Sequence, residues 1–481
     1  MTLSLSNLVL ALFGGVFLVF ILLGTGARRM HWFYFLVLAV YTGAETHLLY
    51  KNRSVFLQLR WVILPLFGLF FLVRMGRNRG GLKSDGSTLW FFFFTAVAAS
   101  TAATVSSGPY VTLAKVVTLL FLFFAVFLGY RAYLNGYEDG CHVTAAGYSV
   151  YGIFVLAASA LVFLFLRPMA FKPSFRGIFN NPNVLGMMIL AVAPFLFYMF
   201  LNPRAKRPRP SFLGVLGVLA GMLVLTGSRA SLGAFLISMG ILVLVFNRRY
   251  LPVLGALGIM VYGYMFFTGL SDTTGFVDSA FVRKYIYKDR ADIFGKQRRP
   301  ILEATLKNIR QNPYLGIGYG ISYQWEGNQE RFIQSGYLDK REKGNSYLAI
   351  QEETGLPGSL VVLVLIFRLL SRGYRVIRIG LRSLPRDDPD LALLVVFYAD
   401  VVGLLLNAAF ENWLFSVGHI LCVVFWINFL ATARLTERVR ARVPEMAARE
   451  EPVRMPVAMP NVVRPRPVPQ PAAARPRQFT Y

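Results

Sequence analysis

The chain reads as an all-α polytopic membrane protein with about 12–13 transmembrane helices, and three observations predict it. Apolar runs of roughly twenty residues recur along most of the 481 positions, each long enough to cross a bilayer. The composition is 56% hydrophobic, with a mean hydropathy of +0.53. Charge is scarce inside the runs and gathered between them. A soluble α/β enzyme with buried helices is disfavoured, because too many runs exceed the length of globular helices.

In chain order the spans are predicted near 5–24, 31–48, 56–73, 88–106, 110–132, 147–166, 183–201, 211–227, 229–246, 250–269, 345–367, 391–409 and 412–433. The first follows "MTLSLSN", which lacks the basic segment of a cleaved signal, so it reads as a span with its N-terminus outside. Glu45, His47 and Arg60 intrude on the second and third, which leaves a short or re-entrant pair open. The remaining spans read as nearly charge-free at mid-depth.

A net charge of +26 raises nucleic acid as a partner, but its distribution argues against it. The basic residues fall in short loops expected inside: Arg28/Arg29, Arg74 to Lys83, Arg204 to Arg209, Arg248/Arg249 and the run Arg368 to Arg386. That is the positive-inside pattern. The loop 133–146 is neutral, and long outer loops escape the rule.

Three regions follow: 1–169, N-terminal spans; 170–433, a membrane core including the long outer loop 270–344; and 434–481, a Pro/Arg-rich cytoplasmic tail expected to be disordered. Two cysteines and four scattered histidines form no disulfide framework and no metal motif, so no metal is expected.

Within the outer loop, "RRPILEATLKNIRQ" predicts an amphipathic helix suited to a membrane surface, with Ile301, Leu302, Leu306 and Ile309 near one face. Asn312-Pro313 ends it, and Gly316, Gly318 and Gly320 read as turn glycines. Two polar segments share the predicted outer face: "FKPSFRGIFNNPNVLG" and the turn "TGSRASLGAF". Arg176 and Arg229 stand where the charge rule disfavours arginine. A guanidinium there is either snorkelling to headgroups or offered to a phosphate, which its planar fork binds through paired hydrogen bonds. The loop closes on "REKGNSYLAIQEETGLPG", with Glu352 and Glu353 just inside a span. Acids in membrane helices are functional candidates.

The stretches "NNPNVLGMMILAVAPF", "LTGSRASLGAFLIS", "NPYLGIGYG" and "GNSYLAIQEETGLPGSLVVL" resemble, in that order, the motifs of the O-antigen ligase and polymerase superfamily. "FENWLF", 410–415, resembles the last outer hairpin of its polymerase-like members. The resemblance covers roughly 170–430. It implies an integral-membrane glycosyltransferase that takes a glycan from a polyprenyl diphosphate on the outer face of the bacterial inner membrane. The glycan passes to another lipid-linked repeat (polymerase) or to lipid A core (ligase), in surface polysaccharide, exopolysaccharide or lipopolysaccharide assembly. By motif match Arg176 and Arg229 bind the diphosphate. No cofactor is implied; the partners are the lipid-linked glycan, membrane lipids and a chain-length regulator or flippase.

The chain departs from the family at one position. Its ligases carry histidine before the asparagine that here is Asn345, and this chain has Gly344. Substitute bases are Glu353, at the family's acidic position before "GLPG", Glu342 in the run "DKREKG", and Glu411 at the last outer turn, with His419 expected about two helical turns deeper. Glu353 reads equally well as a shape-holding partner of a cation. Asn345 and Asn183 fall on the structural or acceptor side, Asn345 with the competing reading of a helix N-cap. The missing histidine favours polymerisation over ligation; a polysaccharide or lipid transporter is the reading from another class.

Overall fold

The computed structural model describes residues 27–48, 53–75, 86–171, 174–200, 210–246, 298–321, 343–385 and 387–443, and a few positions between 248 and 259. The predicted spans 5–24 and most of 250–269, Glu342 and the tail from 444 lie outside the described residues.

Twelve helices are named here: α1 (Ala27–Glu45), α2 (Arg53–Met75), α3 (Gly86–Thr104), α4 (Pro109–Gly136), α5 (Gly140–Phe165), α6 (Pro182–Phe200), α7 (Pro210–Thr226), α8 (Arg229–Phe246), α9 (Arg298–Gln311), α10 (Ser346–Ser383), α11 (Pro389–Ala408) and α12 (Ile420–Ala441). Among the described residues there is no β-strand, only the isolated bridges Thr46–Phe179 and Phe171–Phe175. Among the described residues eight helices are long and apolar enough to cross a membrane: α3, α4, α5, α6, α8, α10, α11 and α12. The chain is therefore an all-α polytopic membrane protein. In lipid only internally hydrogen-bonded backbone is tolerated, which is why helices recur wherever apolar length allows.

The helices divide by burial. α6, α11 and α12 are enclosed on most of their surface, whereas α3, α4, α5 and α8 leave about half of theirs uncovered. Exposed Leu164, Phe165, Leu363 and Phe367 are side chains suited to acyl chains. Phe91 stacks on Phe127 at 4.2 Å and meets Trp426 edge-on at 5.1 Å, and Phe94 lies 4.2 Å from Phe415. This cluster joins α3, α4 and α12 to the loop 409–419 and stiffens the frame under the site. Each aromatic pair adds about 0.5–1.5 kcal/mol beyond burial.

Helix ends alternate, so the bundle has two distinct ends. At the first meet the N-termini of α6, α8, α10 and α12 and the segments 174–181, 312–321 and 409–419. At the second, His142, Arg438 and Arg442 surround Asp390 at the start of α11.

Four expectations are corrected. The run Arg368 to Arg386 is not a loop, because α10 continues through it to Ser383. Residues 412–419 are not helical; α12 starts at Ile420 and runs past the expected boundary at 433 to Ala441. His419 is consequently not deep in a span but caps α12, its Nδ1 accepting from Leu421 N at 3.2 Å. The bundle is also less free of polar groups than expected: Asp400, halfway along α11, is fully buried and accepts from Asn428 Nδ2 at 2.6 Å.

Glu45, His47 and Arg60, which made the second and third spans doubtful, serve the first end. Asn180 N donates to Glu45 O at 2.8 Å, His47 N to Ile178 O at 3.2 Å, and Arg60 Nη1 to Gly418 O at 2.7 Å. α1 and α2 thus clasp the two loops that carry candidate residues.

Candidate active site

The first end is assembled from four loops. Segment 174–181 is pinned from both sides. Phe175 N donates to Leu225 O at 3.1 Å, Arg176 N to Ala170 O at 2.9 Å, and Thr46 Oγ1 to Ile178 O at 2.5 Å. Gly177 takes the left-handed conformation, with φ of 55°, against Ser159. The half-buried Arg176 guanidinium reaches Asn180 O at 3.4 Å, and desolvation lowers its pKa. The group still carries its charge at any physiological pH. Asn181 Oδ1 then accepts from Asn183 N at 2.9 Å, and Pro182 opens α6, where its missing N–H costs nothing.

The α7–α8 turn needs Gly227 at φ of 66°, and places Arg229 as the first residue of α8. Arg229 is half-buried, and among the described residues its guanidinium has no hydrogen-bond or ion-pair partner. Gly186 of α6 lies against Ser228 and Ser231, so close that a Cβ there would come within 2.8 Å of Ser228 Cβ. The turn carrying Arg229 is therefore held against the first turns of α6.

A hydrogen-bond chain links these parts to the hairpin 409–419. Ser228 Oγ donates to Ser231 Oγ (2.9 Å), which accepts from Asn407 Nδ2 (3.2 Å), while Asn407 Oδ1 accepts from Trp413 Nε1 (2.9 Å). Ser346 Oγ accepts from Trp413 N at 3.1 Å and donates to Glu411 O at 2.7 Å. The carboxylate of Glu411 accepts from Asn183 Nδ2 at 3.2 Å. Glu411 is half-buried. Beside it both amide atoms of Asn412 are enclosed without a hydrogen-bond partner among the described residues. Buried polar atoms in native proteins nearly always have partners, so an orphaned amide in a site marks a place for a ligand or water. Asn412 went unnoticed in the sequence because asparagine in a turn is ordinary; only the enclosure sets it apart.

Electrostatics at this end favour an anion. Among the described residues α4, α6, α8, α10 and α12 present their N-termini at this end, each with partial positive charge. Asn345 caps α10, its Oδ1 accepting from Tyr347 N (2.9 Å) and Leu348 N (3.1 Å). Gly344 precedes it, so no side chain extends where the resemblance places histidine.

Glu352 and Glu353 lie in a separate, closed arrangement. Both are buried, at 2% and 1% exposure. Lys343 Nζ sits 2.5 Å from Glu352 Oε2 and 3.3 Å from Glu353 Oε1, and donates to Ile321 O at 2.9 Å. Asn308 Nδ2 of α9 donates to Glu352 Oε1 at 2.6 Å, and Gly320 N to Glu353 Oε2 at 2.8 Å. The sequence hid Lys343 within a charge run of the kind that is normally solvated.

The backbone explains the glycines. Pro357 has no N–H for the Glu353 carbonyl, and Gly355, at φ of 62°, breaks the helix. Leu356 N turns instead to Pro313 O at 3.0 Å. The two orphaned carbonyls are taken by the glycine loop: Ile317 N donates to Glu352 O at 2.9 Å and Gly318 N to Glu353 O at 3.2 Å. Gly316, Gly318 and Gly320 all have positive φ, and a Cβ on Gly316 would meet the Glu353 backbone at 2.6 Å. Loop and kinked helix are thus one unit. α9 rests on it through buried Thr305 and Asn308, while Leu302 and Leu306 stay exposed, consistent with a membrane-surface helix.

The structure therefore pairs Asn183 with Glu411, places Arg229 and Asn345 next in sequence to serines of the same hydrogen-bond chain, holds Arg176 on the adjoining segment, and sets Glu353 apart in an enclosed ion cluster. Residues 214–363, from α7 to the middle of α10, match the family described as O-antigen ligase. No curated protein is similar enough to count as a relative.

Proposed function

We propose, from the premise that residues 214–363 carry a domain of the O-antigen ligase and polymerase superfamily, that the chain is a polymerase-like glycan transferase acting on a polyprenyl-diphosphate-linked oligosaccharide. The observation that carries this reading is the unpartnered Arg229 guanidinium at the N-terminus of α8, on a turn whose neighbouring Ser228 and Ser231 are joined by hydrogen bonds through Asn407, Trp413 and Ser346 to the Asn183–Glu411 pair.

In the proposed reaction the bond between the sugar anomeric carbon and the diphosphate oxygen breaks. The electron pair leaves with the diphosphate, whose developing charge Arg229 and Arg176 stabilise with the helix dipoles. An acceptor hydroxyl forms the new bond to the anomeric carbon, and its proton passes to the Glu411 carboxylate. Asn183 orients that carboxylate, and the Asn412 amide is placed to hold a sugar hydroxyl. Glu353 and Glu352 do not touch substrate in this scheme; they hold the glycine loop to α10. The first end then faces the outside of the cytoplasmic membrane and the basic second end the cytoplasm.

The test is substitution in cells. Arg229→Ala and Arg176→Ala should each abolish polymer and cause lipid-linked single repeats to accumulate. Unchanged polymer length in both variants sinks the site. The ligase reading is supported by the family description of residues 214–363. A deletion strain separates the two: loss of capped lipid A core with free lipid-linked polymer still made means ligation, while single repeats without polymer mean polymerisation.

A further inference from the structure

A second site lies at the opposite end of the bundle. A cavity of about 370 Å³ opens between the start of α3, the second half of α10 and the end of α12. Its floor is apolar, formed by Trp90, Leu365, Leu369 and Phe429. Its rim carries Arg368, Arg372 and Arg375, spaced so that one face of α10 presents all three. Arg440 of α12 closes the rim, with Glu437, whose carboxylate lies 3.8 Å from Arg434. Among the described residues Arg368, Arg372 and Arg375 have no carboxylate partner. Gly86 and Ser87 at the N-terminus of α3 add the positive end of a helix dipole.

Position along α10 suggests what such a cavity takes. Arg368 is 13 positions beyond the kink at Gly355, about 20 Å along the helix, and is the first charge after it. No charged residue lies between Gly355 and Phe367. The arginine rim therefore stands at the far membrane–water boundary, with its apolar floor on the membrane side. Three arginines that pair with no carboxylate among the described residues match a phosphate, which they bind by paired, charge-assisted hydrogen bonds. The floor of Trp90, Leu365, Leu369 and Phe429 matches the first methylenes of an acyl chain. A free anion has no use for that floor.

We propose that this cavity binds the phosphate headgroup of an anionic phospholipid in the leaflet opposite the candidate active site. The site does not depend on the glycan-transfer reading, and its occupant would fix the tilt of α10 against α3 and α12.

The experiment is native mass spectrometry of the full chain in detergent, with phosphatidylglycerol, phosphatidylcholine and inorganic phosphate offered separately and in competition. Phosphatidylglycerol should be retained over phosphatidylcholine. Each arginine near a membrane surface is expected to contribute about five-fold, so the exposed triple variant R368Q/R372Q/R375Q should lose roughly a hundred-fold of that retention. Ala433→Phe, which fills the cavity while keeping every arginine, should also lose it. R378Q/R382Q, exposed on the same helix outside the cavity, should not. Unaltered retention in the triple variant overturns the proposal. Equal loss in R378Q/R382Q overturns it in favour of diffuse charge, and displacement by equimolar inorganic phosphate in favour of a free-anion site.

Discussion

Two acid-bearing regions flank the start of α10, and they are built on opposite principles. Glu352 and Glu353 are enclosed, share one lysine and accept from Asn308 and a backbone N–H. Glu411 is half-buried and accepts from Asn183, beside the enclosed and unbonded amide of Asn412. A carboxylate locked to a buried ammonium is committed to structure, because removing the proton acceptor or its partner strands a charge in low dielectric. The Glu411 carboxylate accepts instead from a neutral amide. In the proposed function, Glu353 is thus the structural acid and Glu411 the one that takes the proton.

The largest effect should come from the closed cluster. Lys343→Met leaves two buried carboxylates without their cation, and should cost about 3–5 kcal/mol of stability. Thermal unfolding in detergent, followed by intrinsic fluorescence, checks this; an unchanged midpoint would mean that the cluster holds nothing. Arg229→Ala comes next. It should leave the unfolding midpoint in place and lower transfer to a synthetic acceptor by about 10²–10³-fold, as loss of one donor to a developing anion does. Substituting the two acids sets the regions directly against each other. Glu411→Gln should reduce turnover by about 10²-fold with folded yield intact, as for loss of a general base. Glu353→Gln should reduce activity only in proportion to folded protein. The reverse pattern, with normal stability and lost turnover in Glu353→Gln, would exchange their roles. The smallest effect belongs to the helix start: Asn345→Ala should cost about 1 kcal/mol through loss of the cap, and Asn345→Ser should restore most of it. Failure of serine to rescue activity while rescuing stability would give Asn345 a part in binding the acceptor.

The second end of the molecule extends the contrast. Arg176 and Arg229 sit by helix N-termini, while Arg368, Arg372 and Arg375 line an apolar-floored cavity beyond the uncharged stretch 355–367 of α10. The same side chain is read differently because its surroundings differ: loops and polar caps in one place, aromatic and leucine surface in the other.

Much of this was legible in the sequence, and the limits have physical causes. Asn345 as a cap, Gly316, Gly318 and Gly320 as turns and the helix 298–311 depend on residues a few positions apart, so local pattern reveals them. The kink at Gly355–Pro357 is local as well, but its consequence is not: the carbonyls it frees are satisfied by Ile317 and Gly318, across the intervening loop. Arg368 to Arg386 was expected to be a loop because charge ends a membrane span, yet charge does not end a helix, and α10 runs on to Ser383. His419 was expected deep in a span because 412–433 is apolar; Ser346, Trp413 and Asn407 instead bind the hairpin backbone and side chains and delay the helix to Ile420.

The sequence by itself determined that the chain is a bundle of membrane helices and, for most of the described ones, roughly where they lie. Lipid forces this, since a spanning backbone must satisfy its own hydrogen bonds and an apolar run of sufficient length has few other states. Only the tertiary structure decided the partners. Asn183 meets Glu411 across 228 positions, and Asn308 meets Glu352 across 44. Which polar group finds which depends on how helices pack, and that packing is set by the whole apolar surface rather than by any stretch of it.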